Sequence, residues 1–158
     1  MSVEKIDRKI SVIFATDVVD YSLHMEKDES GTVTSLRTYE KILKQAFKKH
    51  GGRLFNTGGD SFMAEFSSAV KAVECAIDFQ NIVKEKNIKP ALSFRIGINA
   101  GDVILQKKNL LGDGVNVAAR LEQLSQPDGI TISKSIFDYI EGKLDLKIQK
   151  LGIQQVKK

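Results

Sequence analysis

Three features of the sequence predict an α+β fold built on a βαββαβ unit. They are an apolar, β-branched run at 9–17, a two-strand signature around Thr57-Gly58-Gly59-Asp60, and strict alternation from Leu92 to Ile98, with helical periodicity between them. The first run, KISVIFATD, has the near-continuous apolar character of a strand covered on both faces. From Gly31 to Lys49, the residues Val33, Leu36, Tyr39, Leu43, Ala46 and Phe47 recur at three- and four-residue steps, an amphipathic helix that Gly51-Gly52 stops. RLFN (53–56) and SFMAEF (61–66) are short strands joined as a hairpin, and Ser67–Lys86 is a second helix with Val73, Ala76, Ile77 and Val83 inward. Leu92, Phe94, Ile96 and Ile98 alternate with Ser93, Arg95, Gly97 and Asn99, a third strand region that is expected to turn at Asn99–Asp102 into an antiparallel partner, VILQ. A helix over about 114–124, a strand at 130–133, a helix at 134–141 and an edge strand around 145–151 complete the order. The expected architecture is a ferredoxin-like core with appended strands and helices, its sheet twisted and mostly antiparallel.

Composition bounds the function. With 158 residues, 42% hydrophobic and 28% charged, the chain suits one domain over 1–158 and is neither disordered nor a disulfide scaffold. No linker, repeat or low-complexity tract divides it. The longest apolar runs are too short to enter a bilayer, and MSVEKIDRK lacks the apolar stretch of a secretory leader. A single cysteine, Cys75, suits a reducing, cytoplasmic setting. The net charge of +4 is modest, and 7% aromatic residues with no Trp argue against a nucleic-acid stacking surface.

Familiar catalytic strings are missing: GxxxxGK[ST], HExxH, CxxC and GxSxG do not occur. His24 and His50 read as exposed structural residues, and Cys75 as a buried small hydrophobe. Two aspartates stand out. Asp17 ends the first strand and Asp60 lies in the Gly-Gly-Asp turn, so a βαββαβ sheet brings both to one end. Converging carboxylates repel unless a cation or proton intervenes, and hard oxygen ligands suit Mg²⁺ or Mn²⁺. Two turn aspartates capping backbone N–H groups are the plain alternative. The loop Val18-Val19-Asp20-Tyr21-Ser22 enters a helix and offers backbone N–H groups to phosphate. In GDGVNVAAR (112–120), Asn116 and Arg120 share one helix face and suit a hydroxyl and a phosphate oxygen. The alternative is a surface helix with Arg120 paired to an acid such as Glu122.

Together the strings FATDVVDYS, NTGGDSFMAEF, FRIGINAGDV and LLGDGVNVAARLE resemble the catalytic domain of class III nucleotidyl cyclases, in family order over about residues 10–157. The resemblance implies head-to-tail dimers in which Asp17, Asp60 and the Val18 carbonyl bind two Mg²⁺ or Mn²⁺ ions. Asn116 would orient the ribose and Arg120 would steady charge on the α-phosphate, both from the opposite subunit. The products would be a 3′,5′-cyclic nucleotide, most simply cAMP from ATP, and pyrophosphate, made in signal transduction. Three departures stand out. Asn56 and Asn109 replace the lysine and aspartate that read adenine, and an amide pair fits several bases by flipping. Asp20 replaces a glycine in the phosphate loop. The last family strand is expected to be missing after LGIQQVKK. A degenerate nucleotide-binding or regulatory module and a pyrimidine-triphosphate cyclase are the competing readings.

Overall fold

A computed structural model describes residues 6–146. Its central element is β1, Asp7–Val18, hydrogen-bonded on one side to β3 (Ser61–Phe66) and on the other to β4 (Phe94–Gln106), both antiparallel. β2 (Arg53–Gly58) and β5 (Asn109–Leu111) flank these, giving the order β2-β3-β1-β4-β5. β6 (Ile130–Ile132) runs parallel to β4. Helices α1 (Tyr21–Lys27), α2 (Glu29–His50), α3 (Ala69–Glu85), α4 (Asp113–Leu124) and α5 (Lys134–Ile140) complete the described residues. The βαββαβ core is therefore present, with α1 as a short addition at the entrance to α2.

The continuous burial of residues 11–18 has a simple cause: helices cover both faces of β1. Val12, Phe14 and Val18 join the large core beneath α2 and α3, whereas Ile13 and Ala15 join a smaller core with Val103, Leu110, Val115 and Ala118. Successive strand residues alternate faces, so Asp17 shares the second face with Ile13 and Ala15. The large core is aromatic at its centre, where Phe14 meets Phe47 at 5.1 Å and Phe66 at 5.9 Å between ring centroids. Truncating such a residue costs about 3–5 kcal/mol. Asp28 caps α2 by accepting from the Gly31 N–H at 3.0 Å, and Tyr39 in the same helix accepts from the Leu92 N–H at 3.2 Å.

The expected turn at Asn99–Asp102 does not exist. β4 runs straight through it, paired with β1 from Phe94 to Leu105, and reverses only at Lys107-Lys108, where Lys107 has φ 56°. The small and polar residues that suggested a turn instead admit α4. A Cβ on Gly97 would lie 2.3 Å from the Glu122 nitrogen and 2.4 Å from the Ala118 oxygen, and Asn99 Nδ2 donates to the Gly114 carbonyl at 3.0 Å. The strand expected around 145–151 falls mainly outside the described residues, and Asp145 and Leu146 belong to no strand. His24 and His50 are half-buried rather than exposed; His50 Nε2 lies 3.1 Å from an Asp78 carboxylate oxygen. Cys75 is fully buried, and burial pushes its thiol up to about 12, so it is an inert core residue.

Candidate active site

Register alone brings the two singled-out aspartates together. Thr16 pairs with Phe62 across β1 and β3, so the Gly59-Asp60 turn falls beside Val18 at the same sheet end. The Val18 N–H donates to Asp60 Oδ2 at 3.3 Å. Burial raises the Asp60 carboxyl above its ordinary range, the Val18 N–H opposes that rise, and the nearby Asp17 charge adds to it.

Asp17 has a second neighbourhood that the sequence did not reveal. It is only 8% exposed and lies opposite Arg95 in the β1–β4 register. Arg95 Nε donates to Oδ1 at 3.0 Å and a terminal guanidinium nitrogen donates to Oδ2 at 2.6 Å. Gln123 Nε2 approaches Oδ2 at 3.4 Å. Beside them Glu122 is buried at the end of α4, and burial, reinforced by the Asp17 charge, pushes its carboxyl up to about 8. The rise favours the neutral acid, which limits the negative charge that Glu122 adds beside Asp17.

The donors at this corner fit a hard divalent ion. Among the described residues no group of three or more His, Cys, Asp or Glu side chains is placed to hold a metal unaided. Two carboxylates form an incomplete set, the kind that Mg²⁺ completes with water and substrate phosphates.

The α4 pair stands on an exposed face. Gly114, Val115, Ala118, Leu121 and Glu122 face inward, leaving Asn116 and Arg120 on the exposed side of the helix. The aspartate corner lies at its C-terminal end, next to buried Glu122 and exposed Gln123. Gln123, three residues after Arg120, shares that exposed side and approaches Asp17 Oδ2 at 3.4 Å.

Asn56 and Asn109 stand on strands at opposite edges of the β2–β5 path, yet the sheet curls enough to link their neighbours. Arg53, on the strand of Asn56, donates from Nη1 to the Lys108 carbonyl at 2.9 Å. Asn56 is exposed beside a register shift in β2, and Asn109 is half-buried. The Asn109 amide is oriented by its own backbone, since Oδ1 accepts from the Leu110 N–H at 2.9 Å.

In the loop after β1 the Val19 N–H is already used, donating to the Ser93 carbonyl at 2.8 Å. This corrects its expected place among the phosphate donors and leaves Asp20, Tyr21 and Ser22. Asp20 adopts φ 54° and ψ 40°, the left-handed conformation that glycine enters freely, and its side chain is exposed and makes no cap hydrogen bond. Tyr21 packs partly against the large core, while Ser22 is exposed.

This fold is that of a nucleotide cyclase domain, as comparison with known proteins shows. Residues 2–158 match the model of the Adenylate and Guanylate cyclase catalytic domain. A Rhizobium meliloti (strain 1021) protein named "Putative adenylate cyclase 3" is 40% identical over 99% of this chain and 28% of its own length. A Streptomyces coelicolor protein named "Adenylate cyclase" is 29% identical over 82% of the chain and 33% of its own length. Among solved structures, an adenylate/guanylate cyclase/hydrolase from Silicibacter pomeroyi superposes with a TM-score of 0.88 at 32% identity, covering 97% of this chain and 92% of that one. The chain belongs to the class III adenylate and guanylate cyclase catalytic domain family. It spans about a third of the length of the curated relatives it matches.

Proposed function

We propose that residues 1–158 form a single catalytic domain that works as a homodimer and converts ATP to cAMP and pyrophosphate. The observation that carries this reading is the meeting of Asp17 and Asp60 at one sheet end, joined through the Val18 N–H at 3.3 Å. Asp17, Asp60 and the Val18 carbonyl would hold two Mg²⁺ or Mn²⁺ ions. Such ions, when bound, activate a hydroxyl and offset phosphate charge. The Tyr21–Ser22 end of the loop, exposed at Ser22, would offer backbone N–H groups to phosphate oxygens. Asn116 from a second copy orients the ribose, and its Arg120 stabilises charge developing on the α-phosphate. In the reaction the ribose 3′-oxygen bonds to the α-phosphorus as the α–β bridging P–O bond breaks, and the hydroxyl proton leaves. Exposure of Asn116 and Arg120 on α4 suits a site completed by two copies. Among the described residues no helix is long and apolar enough to cross a membrane, which suits the proposed cytoplasmic reaction.

A guanine or uracil triphosphate is the second reading, favoured by one contact. With its oxygen accepting from Leu110, the Asn109 amide offers N–H donors outward, which suits a keto oxygen better than an exocyclic amine. Offering ATP, GTP, CTP and UTP separately with Mn²⁺ and identifying products by mass decides between them. Cyclic AMP as the main product supports the first reading. Cyclic GMP or UMP supports the second, and no turnover by a confirmed dimer overturns both.

A further inference from the structure

We infer that Arg95 is a positioning residue of this site: its guanidinium is a resident counter-cation on Asp17 with which a divalent ion must compete. The inference rests on the cyclase reading for one point, the role of Asp17 as a ligand. Arg95 spans both carboxylate oxygens with bonds of 3.0 and 2.6 Å, and Gln123 Nε2 lies 3.4 Å from Oδ2. Side-chain exposure is 23% for Arg95 and 12% for Asp17, so water screens the pair weakly. The planar fork fixes the carboxylate plane as well as its distance, which a lysine ammonium cannot do.

Two consequences follow from that charge. Without an ion, Arg95 offsets the repulsion between Asp17 and Asp60 and keeps Asp17 aimed in one orientation. A fixed cation on one ligand also repels an incoming divalent ion, so the bare corner binds metal weakly. A nucleoside triphosphate carries enough negative charge to reverse that balance. Metal and nucleotide then enter together, and the site stays empty of metal while substrate is scarce.

Mn²⁺ binding in the absence of nucleotide, read from the electron paramagnetic resonance signal of the free ion, tests this. The proteins compared are wild type, Arg95→Gln, Arg95→Lys and Asp17→Asn. Glutamine is neutral and keeps an N–H for Asp17; lysine keeps the charge without the fork. Losing the cation should tighten Mn²⁺ binding roughly tenfold or more in Arg95→Gln, while Arg95→Lys stays within about threefold of wild type. Asp17→Asn should lose the binding. Binding in a folded Arg95→Gln protein that is unchanged or weaker than wild type, with Asp17→Asn still defective, overturns the role of Arg95 and leaves the metal reading intact. An Asp17→Asn protein that binds Mn²⁺ normally overturns both. A structural prop alone does not produce tighter binding on removal.

The wild type supplies a second measurement should Arg95→Gln fail to fold. The Arg95 Nε–H, followed by NMR, should exchange faster with solvent once Mg²⁺ and a nonreactive ATP analogue are added. Unchanged protection overturns the competition.

Discussion

Gly97 lies so close under α4 that a Cβ there would sit 2.3 Å from the backbone nitrogen of Glu122. Backbone is against backbone at this crossing, and no side chain can move aside. Gly97→Ala should therefore shift α4 from the sheet and lower stability by about 1–3 kcal/mol, as overpacking at a rigid contact does. Denaturant unfolding measures the loss. The same helix carries Asn116 and Arg120, so cyclase activity in the folded fraction should fall as well. An alanine variant of wild-type stability would show that α4 is not held this tightly.

Asp20 invites the opposite change. Its backbone is left-handed, which costs a non-glycine residue about 1 kcal/mol, somewhat less for Asp than for Ala. Asp20→Gly should stabilise the chain by a few tenths to about 1 kcal/mol, and Asp20→Ala should destabilise it slightly. Chemical denaturation of the three proteins gives the order. Equal midpoints would remove the strain argument.

Glu122 sets a pH dependence. Its folded-state carboxyl titrates at about 8, above the ordinary 4.5, because it is buried beside the Asp17 charge. A group raised in this way contributes stability that is fully present below pH 4.5 and lost as pH rises through the folded value. In metal-free buffer the melting temperature of the wild type should decline between pH 5 and 8.5. Glu122→Gln, which imitates the protonated form, should decline less over that window. Parallel profiles for the two proteins would exclude Glu122 as the source.

Complementation tests the division of the site between two copies. Asp17→Ala and Arg120→Ala should each abolish turnover while leaving circular dichroism unchanged. Mixing them should recover up to about a quarter of wild-type activity, because statistical pairing makes half the dimers hybrids with one intact site of two. Confirmed heterodimers that stay inactive would refute the shared site.

The asparagines are expected to govern base choice. Changing Asn56 to Lys and Asn109 to Asp together restores one donor and one acceptor, the complement of adenine N1 and its amine. The double variant should favour ATP over GTP and UTP by at least about tenfold more than the wild type, a difference near 1.4 kcal/mol. Ratios of kcat/KM for the separate triphosphates provide the check. An unchanged ratio would place base reading elsewhere.

Much of this was legible in the residue order. The apolar run at 9–17, the stripe through Leu36, Leu43 and Phe47, and the Gly-Gly-Asp hairpin specify the core elements, because side-chain periodicity records which faces are buried. The convergence of Asp17 and Asp60 followed from that topology. Asn99–Asp102 misled, since small and polar residues mark turns and close helix contacts alike, and only the 12-residue span of β1 as a partner kept β4 straight.

The sequence by itself determined the elements, their order and the two acidic ends, since each depends on local pattern and on one hairpin. Tertiary structure alone decided what touches Asp17. Arg95, 78 residues away, faces it through strand register, and Gln123, 106 residues away, reaches it because Gly97 lets α4 come down. Neither neighbour leaves a trace in periodicity: the alternating polar face of β4 reads as solvent-facing until a helix is seen to cover it. Long-range pairing and burial create that environment, and they exist only in the folded chain.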